Sequence, residues 1–179
     1  MKARTLSLIV ATVVLLSVAL RAAEVIRVRP LARDGVVLVS FELDDGFTEE
    51  VQAAIHSGLP ITFTYDVELR RGVPLWIDRA IASSTVAASV RYDNLTRRHQ
   101  LSRTLDGRMA PDATVTENED LVKRWLTTFD RLPLFKTTVL EPNAEYYVRV
   151  RVRAHPRNSL FPWPWSGGAS GLSKFTFIP

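Results

Sequence analysis

An antiparallel β-sandwich carrying two short helices is the fold class this sequence predicts: mainly β, and immunoglobulin-like in general architecture. Three observations predict it. Ile61, Phe63, Tyr65, Val67 and Leu69 alternate with Thr62, Thr64, Asp66, Glu68 and Arg70, so one face is apolar and the other polar. Val86, Ala88, Val90 and Tyr92 repeat the alternation, and Tyr146 to Ala154 does so again. Turn signals separate these runs: Asp34-Gly35, Asp93-Asn94, Asp106-Gly107 and Glu141-Pro142-Asn143. Strands with one apolar face need other strands to cover it, and seven to nine strands in two layers satisfy that need.

The elements follow in order. Met1 to Arg4 is basic, Leu6 to Leu20 is apolar, and small residues follow at Ala19, Ala22 and Ala23. This is the layout of a secretory signal peptide over 1–22, cleaved near 19–23. The apolar run is shorter than the roughly 20 residues that span a bilayer, so an uncleaved membrane anchor is the weaker alternative. Residues 23–179 then form a single β-rich domain in an extracytoplasmic, periplasmic location.

Ile26–Pro30 and Val36–Leu43 predict a hairpin closed at Asp34-Gly35, because glycine tolerates positive φ. Apolar residues on both faces at Val36 to Val39 predict a central position for the second strand. Phe47 to Ser57 predicts a short helix. Thr48 caps it, Glu49 and Glu50 face the positive end of its dipole, and Gly58 and Pro60 end it. Ile61 to Leu69 is a strand. Trp76 and Ile77 open the next strand region, which runs on to Tyr92, and Leu95 to Arg103 forms another strand. Thr116 with Glu119 three residues on resembles a capping box, and Leu121, Val122, Trp125, Leu126 and Phe129 fall at helical spacing. A helix over Glu117–Asp130, stopped at Pro133, is expected. Tyr146 to Ala154 and Ser173 to Ile178 are the last strands, with a Pro-, Gly- and Trp-rich loop over His155–Gly171 between them.

The formal charge of +4 falls to +2 without Lys2 and Arg4, and to +1 without Arg21. So balanced a mature chain argues against nucleic acid as a partner. Cysteine is absent, which excludes disulfides, thiolate metal sites, a thiol nucleophile and a lipidated N-terminal cysteine. No nucleophile elbow, phosphate loop or dinucleotide fingerprint is present, so no catalytic, cofactor or metal residues are assigned. His56, His99 and His155 lie in different predicted elements without ligand spacing. Asp44-Asp45 reads as a turn and cap, because no spaced acidic loop follows it.

Two features remain as a candidate interaction surface. Arg149, Arg151 and Arg153 project from one face of a single strand and could hold a carboxylate, a phosphate or an acidic sugar. The simpler reading is a solvated face paired across the sheet with Asp66 and Glu68. Phe161, Trp163 and Trp165 lie in a proline-stiffened segment that could meet a membrane interface, a protein or a glycan. The simpler reading there is a loop folded back over one end of the sandwich.

The order of features is similar to that of a bacterial family, domain of unknown function 4390. The stretches that carry the likeness are VLVSFEL, FTEEVQAAIHSGLPITFTYDVEL, SVRYDNLTRRHQLSR and YYVRVRVRA, together with the capped helix between the last two. It covers roughly Ala23 to Pro179. It implies export and a β-rich fold, and it transfers no activity. The expected function is therefore a non-enzymatic binding or accessory protein of the cell envelope, without cofactors. Its partner would be an envelope protein or a membrane surface. The alternative is a periplasmic carrier of an apolar or lipid ligand held between the sheets or under Trp125.

Overall fold

The computed structural model describes residues 26–72, 79–110, 113–156 and 169–179, with only the backbone of 154–156. The leader with its cleavage site, Trp76 and Ile77, and Phe161, Trp163 and Trp165 lie outside the described residues.

The strand alternation builds the protein from its middle. β3 (Ile61–Arg71) turns Ile61, Phe63, Tyr65, Val67 and Leu69 inward, each at most 1% exposed, and keeps Thr62, Thr64, Asp66 and Glu68 on its other face. It pairs on one side with β4 (Arg79–Asp93) and on the other with β9 (Glu145–Pro156). β5 (Arg98–Leu105) continues the sheet beyond β4, and β10 (Ser170–Thr176) continues it beyond β9. Two short strands, β6 (Arg108–Met109) and β7 (Thr114–Thr116), pair with opposite ends of β5. The larger sheet thus has the order β10-β9-β3-β4-β5-β6, with β7 also on β5.

The second layer is a three-stranded sheet ordered β1-β2-β8, made by β1 (Ile26–Arg33), β2 (Val36–Leu43) and β8 (Thr128–Lys136). All pairings are antiparallel. The β1–β2 hairpin closes at Asp34-Gly35, both at positive φ (51° and 79°), which matches the hand of the strand twist. β2 is the central strand, as its two-sided apolar start predicts. It buries Val37, Val39, Phe41 and Leu43.

The layers meet ring on ring. Phe41 stacks on Phe129 of β8 at 4.5 Å between centroids, and both lie 5.0 Å from Tyr65 of the large sheet. β1 and β10 close one side. There Gly171 lies so near the chain that a Cβ would sit 2.0 Å from the Ile26 carbonyl oxygen, so only glycine fits. Among the described residues there are ten strands, one more than the upper sequence expectation.

Helix α1 (Glu49–His56) begins at Thr48, whose hydroxyl accepts from the Val51 N–H, and buries Val51 and Ile55 against β3 and β4. Helix α2 (Glu119–Thr127) corrects the sequence reading in three ways. Its cap is Asn118, whose Oδ1 accepts from the Leu121 N–H at 3.1 Å, and Thr116 instead accepts from the Asn118 N–H. It ends at Thr127. The chain then enters β8 without a loop, so Phe129 belongs to a strand and Pro133 lies within that strand instead of stopping a helix.

The absence of a loop leaves the last helix carbonyls inside the molecule, where unpaired acceptors are costly. The Tyr65 hydroxyl donates to the Leu126 carbonyl at 2.6 Å. Arg103 enters from β5 and its Nη2 donates to the carbonyls of Trp125 (2.7 Å) and Thr128 (2.9 Å). Tyr65→Phe keeps the ring and removes only the donor. It is expected to lower unfolding free energy by about 1–2 kcal/mol, read from urea denaturation with the folded-state circular dichroism unchanged. An unchanged midpoint would show that another donor serves the Leu126 carbonyl.

Candidate functional site

The outer face of the large sheet follows from the same alternation that fills the core. β3 and β9 are in register with Glu68 opposite Arg149, Asp66 opposite Arg151 and Thr64 opposite Arg153. Long side chains also reach diagonal neighbours on a sheet face, and the contacts here use both directions. Arg149 Nη2 lies 2.7 Å from Glu68 Oε2, and Arg70 Nη1 reaches the same oxygen at 2.8 Å. Arg151 takes the other oxygen, Oε1. Arg153 Nη2 pairs with Asp66 Oδ2 at 2.7 Å. Arg70 Nε donates to the hydroxyl of Tyr147, which is buried on this face.

Three guanidinium groups therefore converge on the Glu68 carboxylate, whose side chain is only 15% exposed. Burial alone would raise the Glu68 pKa. Hydrogen bonds from Arg149 and Arg70, with the charges of Arg149 and Arg151, overcome that and pull it down to about 2. Exposure rises along the row, from 33% at Arg149 through 49% at Arg151 to 58% at Arg153. The Arg149 end is held inside the network, with its Nε buried and without a hydrogen-bond partner among the described residues, and the Arg153 end faces solvent.

The expected pairing of the arginine row with Asp66 and Glu68 is present. It does not neutralise the face: Arg70, Arg149, Arg151 and Arg153 stand against two carboxylates. The aromatic half of the candidate surface, Phe161, Trp163 and Trp165, lies outside the described residues. The segment that holds it follows Pro156, the end of the same strand that carries the arginine row.

One cluster escaped the sequence reading. His56 at the end of α1 and His99 of β5 lie 6.0 Å apart between ring centroids, with Tyr92 against both at 5.3 and 4.8 Å. His56 Nε2 sits 3.1 Å from Glu119 Oε1, linking the end of α1 to the start of α2. His99 is buried, and its Nδ1 has no hydrogen-bond partner among the described residues. Burial lowers its pKa, aided by His56 and opposed by a hydrogen bond with the Thr116 backbone and by Glu119. No sequence spacing announces this cluster, because α1 and β5 are joined only through the sheet. Among the described residues no group of three potential metal ligands occurs. Asp44 pairs with Arg27 and Asp45 turns the chain at positive φ, in keeping with their reading as a turn.

Fold and face together define an antiparallel β-sandwich that presents an over-cationic sheet surface. A family model described as Domain of unknown function (DUF4390) matches residues 21–162, most of the chain, and the protein belongs to that family. No curated protein and no solved structure matches it. No helix among the described residues is long and apolar enough to cross a membrane.

The Glu68 network carries a pH signature. Its folded pKa lies below the unfolded value of about 4.3, so the stability it contributes is complete above the unfolded value and is lost as pH falls towards 2. Glu68→Gln is expected to lower the urea midpoint at pH 7 and to flatten its decline between about pH 5 and pH 2.5 relative to wild type. Parallel declines in the two proteins would show that Glu68 is not held ionised by its neighbours.

Proposed function

We propose that this protein is an exported, non-enzymatic binding or accessory protein of the cell envelope. Its partner contact is the arginine row on the outer face of the large sheet. The observation that carries the reading is the surplus of guanidinium groups held in place around Glu68. Exposed ion pairs contribute about 0–1 kcal/mol each to folding, so stability gives little reason for Arg151 and Arg153. Each guanidinium presents five N–H donors in a rigid fork suited to carboxylate and phosphate oxygens. Among the described residues Arg151 and Arg153 each pair with a carboxylate through Nη2, and their side chains are still 49% and 58% exposed. The partner this favours is an acidic surface on an envelope protein, with an anionic membrane surface as the competing outcome.

The leader-like start of the chain supports export, to a periplasmic or otherwise extracytoplasmic location. The aromatic residues Phe161, Trp163 and Trp165, which follow β9 in sequence, are the other half of the contact proposed from the sequence. The carrier reading draws no support from the centre of the sandwich, where the rings of Phe41, Tyr65 and Phe129 occupy the space between the sheets.

Photo-cross-linking in living cells tests the proposal, with the reactive side chain at Thr64, opposite Arg153 on the same face. Adducts are expected from the parent chain. They should fall at least about fivefold in the double variant Arg151→Glu, Arg153→Glu, whose charges would repel an acidic partner. Mass spectrometry of the adduct separates protein from lipid, and the intact mass of the recovered protein should start near residues 20–23. Adducts unchanged by charge reversal would overturn the proposed contact. An unprocessed chain retained in the cytoplasm would overturn export.

A further inference from the structure

The same sheet face carries a second feature, one strand further from the arginine row. Its residues follow from the outward positions of three adjacent strands: Thr62 on β3, Ser89 on β4, and Gln100, Ser102 and Thr104 on β5. All are neutral hydrogen-bonding residues, and the hydroxyl pairs are in register across the strands, Thr62 opposite Ser89 and Ser89 opposite Ser102. The Thr62 and Ser89 hydroxyls bond each other at 2.8 Å. Side chains this short leave the face hollow. The chain beyond β5 raises a wall beside it, where Met109 of β6 and Val115 of β7 stand exposed. The result is a cleft of about 720 Å³, open to solvent, whose described lining residues include Arg91 and no carboxylate.

We propose that this cleft binds an acidic sugar unit: a hydroxylated ring carrying one carboxylate or phosphate group. The volume falls in the roughly 300–1,000 Å³ range of small-molecule sites. A hydroxyl or carboxamide floor both donates and accepts, as the hydroxyls of a sugar require. The Met109 and Val115 wall offers apolar contact to the C–H face of a ring, and Arg91 supplies the charge that an acid group needs. An acyl chain would bury the same floor against hydrocarbon and strand the polar groups of Gln100, Ser102 and Thr104, at about 1–3 kcal/mol for each one left unpaired. A metal cation would find no carboxylate among the described lining residues. A nucleobase would find no aromatic platform among the lining residues.

The cleft shares no residue with the arginine row, so the proposal goes beyond the function proposed above and can fail separately from it. Calorimetry and amide-shift mapping on the exported full-length chain test it with three probes: tetragalacturonate, glucose 1-phosphate and neutral maltotetraose. At least one acidic probe is expected to move the amides of Thr62, Ser89 and Ser102 and to bind about tenfold or more tightly than maltotetraose. Comparison of the two acids tells carboxylate from phosphate as the recognised group. Arg91→Gln should weaken binding about tenfold and Ser102→Leu should abolish it by filling the floor, while Arg33→Gln in the β1–β2 turn leaves it unchanged. Should Ser102→Leu not fold, the shift map on the parent protein and Arg91→Gln decide. The proposal is overturned if neither acid shifts those amides, or if Arg91→Gln binds like the parent. Sugar binding that persists when the Thr64 cross-link is absent would sink the partner contact and leave the cleft standing.

Discussion

The structure depends on how the join between α2 and β8 is satisfied. A helix that passes into a strand without a loop leaves its last carbonyls buried or half-buried between the layers. Arg103 and Tyr65, from two strands of the opposite sheet, supply the missing donors. Bringing a guanidinium between the layers is costly in itself. The cost is offset at this place by two carbonyl oxygens, by the negative end of the α2 dipole and by the faces of Trp125 and Phe129, each 4.3 Å from Arg103 Cζ. β8 is an edge of the small sheet and pairs with β2, so the same contacts hold the second layer against the first. Burial raises the Tyr65 hydroxyl pKa further above its ordinary value, so it remains a donor at every physiological pH.

The two faces of the large sheet use arginine in opposite ways. On the inner face a single cation meets acceptors that cannot move, and its role is structural. On the outer face, Glu68 collects Arg70, Arg149 and Arg151, and the network retains excess positive charge at its exposed end. Glu68 holds these side chains in place within the fold itself. Pre-oriented donors lose less conformational entropy on binding than free ones would. A fold-stabilising role alone would be served by matched pairs.

Much of this was legible in the sequence, because period-two alternation survives wherever a strand has one wet face. β1 to β5 and β9 show it, and so does the pairing of the arginine row with Asp66 and Glu68. β8 hides for physical reasons. Pro133 interrupts it, Arg131 adopts positive φ, and its register with β2 shifts twice, so inward residues do not fall on even spacing. Phe129 lies four residues after Trp125, which suits a helix on paper, yet the chain has already become extended. β6 and β7 are too short to show any period. Arg103 lies on a strand that otherwise alternates buried and exposed residues, and nothing local distinguishes an arginine bound to distant carbonyls from one in water. His56 and His99 meet only because β3 and β4 bring α1 beside β5.

The outward residues of β4 connect these observations. Ser83, Thr85, Ala87 and Ser89 all carry short side chains, and the long Arg91 comes only at the end of this row. Isoleucine or aromatic residues would cover the sheet better and favour the strand more. Small residues keep the ground between the arginine row on β9 and the cleft beside β5 low and unobstructed. An extended acidic ligand or an acidic protein edge could then rest on β3 and β4 while meeting guanidinium groups on one side and hydroxyls on the other. The choice weakens packing on a face where packing is not needed, and under the two proposals made above recognition would fall to the two borders.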